Sequence, residues 1–78
     1  LNSKETFRTG QFHLWIARVY SVMGHIDSAR QHREMLRTLN GPHLDALHAL
    51  AAQDEHTPVS ARRLARLVYS LDLVDAAA

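Results

Sequence analysis

FHLWIARVYSVMGHIDSARQHREMLRTLNGP, residues 12–42, is the stretch on which the fold turns, because it reads as two amphipathic helices joined at a glycine. At about 100° per residue, Phe12, Trp15, Ile16, Val19, Tyr20, Val22 and Met23 fall within half a helical circumference. This arc is expected to face the core, with Leu14 and Ala17 as additional apolar surface outside it. Gly24 is placed to end the helix in the left-handed conformation, and Ile26 to fold back onto its last turn. Asp27 is expected to cap a second helix, on which Ala29, His32, Met35, Leu36 and Leu39 share one arc and Arg30, Arg33 and Arg37 the neighbouring one. Glu34 is spaced to pair weakly with Arg30 and Arg37.

Outward from this hairpin the signals weaken. Upstream, Ser3 is a candidate cap and Phe7 an anchor, but the helix-weakening Gly10 predicts that residues 1–10 are frayed or form a separate turn. Downstream, Asn40-Gly41-Pro42 stops one helix and starts another, with Pro42 suited to its first position. Leu44, Leu47, Leu50 and Ala51 then give an apolar face, Asp54-Glu55-His56 a polar break, and Thr57-Pro58 a second cap-then-proline start. Ala61, Leu64, Ala65, Leu67, Val68 and Leu71 line a fourth helix. Leu73 and Val74 are candidates to extend that packing, and residues 75–78 are expected to be disordered. The prediction is one all-α domain, a small bundle of three to four helices whose first two form an antiparallel hairpin.

The positions Ile16-Ala17, Tyr20, Gly24, Ile26 and Ala29 resemble one tetratricopeptide repeat, a helical hairpin of about 34 residues. Ala17 and Ala29 stand where short side chains let two antiparallel helices approach closely. His13 occupies the signature Trp position and Arg33 that of the second-helix aromatic, and residues 44–71 do not repeat the pattern. The resemblance covers residues 12–42 only; it implies a helical hairpin and a protein-binding role.

Composition narrows the function classes. With 78 residues and no cysteine, the chain has room for one small core and no disulfide to reinforce it, a size at which oligomerisation or a partner often completes the fold. A formal charge of +1 does not advertise nucleic acid. No apolar run approaches a membrane span, and the first residues lack the basic and apolar segments of a secretory signal, so cytoplasmic residence is expected. Leu1 is no initiator methionine, which is compatible with a trimmed chain or a fragment.

Chemistry-bearing patterns are sparse. The six histidines, His13, His25, His32, His43, His48 and His56, include no i, i+4 pair, so neither metal nor cofactor is expected. The carboxylates are scattered and no phosphate loop or serine elbow occurs, so no catalysis is expected. Two surfaces remain. The first combines Phe12, Trp15 and Val19 with Arg30, Arg33 and Arg37, residue types that anchor protein interfaces, as a contact for a protein partner or a second copy of the chain. The second is the basic face of the fourth helix, Arg62, Arg63, Arg66 and Tyr69 with Ser70, for phosphates or carboxylates. Residues 44–67 resemble the first two helices of a helix-turn-helix or winged-helix domain, which makes a DNA-binding fragment the competing expectation.

Overall fold

The computed structural model describes the backbone of residues 2–77 and the side chains of residues 2–69. Expectations for Ser70, Leu71, Leu73, Val74 and the 75–78 tail concern side chains or residues outside that range. The described residues are all-α, with four helices: α1 (Ser3–Val22), α2 (Ile26–Arg37), α3 (Leu44–His56) and α4 (Ala61–Ala77). α1 and α2 form the most extensive pair, α3 packs on both, and among the described residues α4 touches α1 alone. The Cα trace measures 33 × 29 × 16 Å. Its thin dimension fits two packed helices and not three, so much helical surface stays in water.

α1 starts earlier than its glycine suggested. Asn2 caps it, its Oδ1 accepting the Glu5 amide at 2.9 Å, and the helix runs without interruption through Gly10. The expected frayed start and the Ser3 cap are therefore replaced by an Asn2-capped helix from Ser3. Gly10 is buried, and a Cβ there would lie 2.9 Å from Leu44 Cδ2, 3.0 Å from Leu47 Cδ1 and 3.2 Å from Leu36 Cδ1. The glycine's helix penalty is offset by letting three leucines from α2 and α3 reach the α1 backbone.

That close approach also chooses which side of α1 faces inward. The buried residues are Gly10, Leu14, Ala17 and Arg18, whereas Phe12, Val19 and Met23 are exposed. The predicted core arc is thus rotated: Phe12, Val19 and Met23 point to water, Trp15, Ile16, Tyr20 and Val22 are half-buried, and Leu14 and Ala17, expected to be peripheral, are buried. Counting apolar bulk favours Phe12 and Met23, but packing rewards the side on which small residues admit neighbours. Leu14, Leu36, Leu44, Leu47 and Ala51 form the core cluster, with Phe7 and Leu39 packed against it.

The α1–α2 turn is a Schellman motif. Gly24 has φ +85°, its amide donates to Ser21 O at 3.1 Å, and the His25 amide donates to Tyr20 O at 2.9 Å. The contact across the motif is made by His25 edge-on to the Tyr20 ring, with centroids 6.1 Å apart; Ile26, expected in that role, is exposed.

Four other boundary expectations are corrected. His25 stands at the α2 N-cap without a side-chain cap, and Asp27 lies in the first turn, where its charge still suits the helix dipole. Pro42 precedes α3 by a turn, because His43 takes the left-handed conformation at φ 67° and the helix begins at Leu44. Ser60, in place of Thr57, caps α4, its Oγ accepting the Arg63 amide at 3.1 Å. Asp54, Glu55 and His56 belong to α3 and break nothing.

Candidate functional site

Asp54, expected in a polar break, is instead buried and carries the shortest side-chain ion pair among the described residues. Its Oδ2 accepts from Arg18 Nε at 2.6 Å and its Oδ1 from Arg18 Nη2 at 3.5 Å, with the two side chains only 8% and 5% exposed. The pair ties α1 to the C-terminal end of α3. The Arg18 guanidinium also lies over the Trp15 ring, 5.1 Å from its centroid, so Trp15 is engaged within the fold. Both partners of the ion pair escaped the sequence reading, although a signal exists. Leu44, Leu47, Ala51 and Asp54 follow one 3-4-3 stripe, and Arg18 is one turn beyond Leu14; a charge in register with a core stripe on each of two helices invites pairing.

The arginine arc of α2 turns towards the same end of α3. Arg37 donates through Nη1 to Glu34 Oε1 and through Nη2 to Glu55 Oε1, each at 2.8 Å. Arg33 Nε lies 3.5 Å from Glu55 Oε1, an attraction of charge without hydrogen-bond geometry, and Arg30 reaches Asp27 loosely at 3.9 Å. These arginines border a cleft of about 440 Å³ together with Ser21, Ile26, Glu34, Asp54, Glu55 and Pro58. Of the three carboxylates there, Glu34 and Glu55 meet Arg33 and Arg37, while Asp54 is already paired with Arg18. Phe12, Trp15 and Val19 take no part in the cleft. The two halves of the expected contact surface, aromatic and arginine, are therefore separate.

The apolar half stands by itself. Phe12 is 58% exposed and Met23 61%, and with half-buried Ile16 and exposed Val19 they form a 4-3-4 row along the outer side of α1. Met35 on α2 is also exposed, one turn beyond His32, whose ring meets Phe12 edge-on at 6.2 Å. Phe12 also lies edge-on to His13, at 5.5 Å.

Behind that row is a ring cluster that the sequence did not announce. His13 Nδ1 and His32 Nδ1 are 3.0 Å apart across the α1–α2 seam, and Tyr20 stacks on His32 with centroids 5.6 Å apart. Burial, and then the neighbouring His32, hold the His13 pKa below its usual 6.5. His13 and His32 are 19 positions apart on different helices, so no local spacing could reveal the pair.

On α4, Arg62, Arg63, Arg66 and Tyr69 are all exposed, Tyr69 at 76%. No salt-bridge partner for these three arginines occurs among the described residues. Also among the described residues, no three of the His, Asp and Glu side chains converge as metal ligands, and no helix is long and apolar enough to cross a membrane. No protein-family model, curated protein or solved structure matches this chain.

Proposed function

We propose that the chain is a non-catalytic protein-binding module, an adaptor or regulatory domain, that receives an apolar helix or patch of its partner on the outer face of α1. The observation that supports this reading is the row of Phe12, Ile16, Val19 and Met23, in which two large side chains are more than half exposed on a domain with few core residues. Exposed rows of this kind mark contact surfaces, and aromatic residues at their centre supply most of the binding energy. The arginines Arg30, Arg33 and Arg37, occupied with Glu34, Glu55 and Asp27, serve the fold instead, and Trp15 is held beneath Arg18.

The test is in-cell photo-crosslinking from a probe at position 12, with a Phe12→Ser/Met23→Ser variant and an Arg30→Ala/Arg37→Ala variant compared by affinity capture. The reading expects a discrete crosslinked partner, lost with the first variant and kept with the second. Equal capture by both variants refutes it. If the partner is a second copy, sedimentation shows a concentration-dependent dimer that Phe12→Ser/Met23→Ser abolishes.

A second reading rests on a different observation, the exposed Arg62, Arg63 and Arg66 on one helix. It proposes contact with duplex DNA through α4. Binding that falls steeply with salt and is lost in Arg62→Ala/Arg66→Ala would favour it over the adaptor.

A further inference from the structure

We propose that the His13–His32 imidazole pair is a proton-gated latch between α1 and α2, which holds the hairpin closed with one or no added proton and is forced open by a second. The geometry is that of a shared hydrogen bond. The ring centroids are 5.2 Å apart while the nitrogens are 3.0 Å apart, nearly that distance plus the two ring radii, so the rings meet head-on along the line joining the nitrogens. Two nitrogens chelating one metal ion at about 2.0–2.1 Å would instead tilt towards a common point off that line.

The proton inventory follows from this contact. With both rings neutral, one Nδ1–H donates and the other Nδ1 accepts. One added proton preserves the bond, because a neutral acceptor remains. A second leaves two N–H groups facing each other across 3.0 Å with like charge and no acceptor. On α1 the titratable neighbour is Tyr20, stacked on His32, with His25 of the turn edge-on to Tyr20. On α2, Arg33 and Glu34 flank His32 in sequence but are tied to Glu55 and Arg37. From α3 the facing group is His48, whose Nε2 contacts Leu36 O, and the described part of α4 makes no contact with α2. No carboxylate lies within salt-bridge distance of either ring among the described residues.

The direction of the pH effect is set by the lowered His13 pKa. Above its ordinary 6.5 the latch contributes in full. As pH falls through that value towards the lowered one, the unfolded chain takes up a proton that the folded one resists, and the contribution is lost. This inference stands apart from the choice of partner.

The experiment is a histidine side-chain ¹⁵N NMR titration of the full chain from about pH 8 to about pH 5, alongside melting curves over the same range. We expect the His13–His32 pair to titrate in two separated steps, the second at lower pH than the exposed reference His56 and coincident with loss of the Tyr20 ring-current shifts. Superimposable titration of all three histidines overturns the proposal. In the melting curves, acidification should lower Tm at least about twice as much in the parent protein as in His32→Gln, with His56→Gln behaving as the parent. Equal pH slopes in the parent and His32→Gln also overturn it. Should His32→Gln fail to fold, the titration of the unaltered protein decides.

Discussion

Removing Asp54 is the perturbation that most directly probes how this small domain holds together. Asp54→Ala deletes the one salt-bridge partner, among the described residues, of a guanidinium that is 5% exposed and contacts the carboxylate at 2.6 Å. A buried cation left without its counter-charge costs about 3–5 kcal/mol, less whatever Arg18 recovers by swinging into solvent. A chain of this size has a total stability of about 4–12 kcal/mol, so the variant is expected to lose about a quarter of it or more. In melting experiments followed by circular dichroism, that is a fall in Tm of roughly 12 °C or more, at about 4–8 °C per kcal/mol. Arg18→Met/Asp54→Leu removes both charges and should recover most of the loss, because the desolvation penalty disappears with the pair. Urea denaturation of Arg18→Met, Asp54→Leu and the double variant closes the cycle, with an expected coupling of about 2 kcal/mol or more. A loss below about 1 kcal/mol in Asp54→Ala, or strict additivity across the cycle, would refute the reasoning.

Three further substitutions test the glycines. Gly10→Ala gains about 1 kcal/mol of helix propensity but drives a methyl group to within 3.2 Å of Leu36, Leu44 and Leu47, of which Leu36 and Leu44 are fully buried; we expect a net loss of about 1–2 kcal/mol in urea unfolding, and a more stable variant would show that the core yields there. Gly24→Ala meets no neighbouring atom, yet its φ of +85° should cost about 1 kcal/mol by strain alone, with Gly24→Asn costing less; equal stability of all three proteins would remove the Schellman turn from the account.

The helices themselves were legible because their signals are local. Apolar spacing gave α1 and α2, Gly24 gave the turn between them, and Asn40-Gly41-Pro42 marked the gap before α3. The boundaries that were misplaced share a cause. Ser3, Asp27, Pro42 and Thr57 are all reasonable capping or starting residues, but Asn2 and Ser60 supply the observed side-chain caps and His43 delays α3 by its left-handed backbone. Several candidates compete within a few residues, and differences of about 1 kcal/mol between caps are settled by how the flanking chain packs.

The candidate surfaces were legible as residue types and less so as arrangements. Phe12 and Val19 lie on one exposed row, as an interface requires, but the sequence grouped them with arginines that turn to Glu34 and Glu55 on another side of α2. Arg18 and Asp54 lie in register with two core stripes, a placement that a polar-break reading of Asp54 passes over. The His13–His32 contact had no sequence signature at all.

The sequence by itself determined that this chain is helical, where the hairpin turns, and that Ala17 and Ala29 occupy positions suited to close packing, because propensity, periodicity and glycine conformation act over a few residues. Tertiary structure alone decided which side of α1 is inside. Apolar side chains lie all round that helix, and the choice fell to Gly10, which admits three leucines, and to Arg18, which needs Asp54. Those contacts join residues more than 25 positions apart, and they left Phe12 and Met23 facing water.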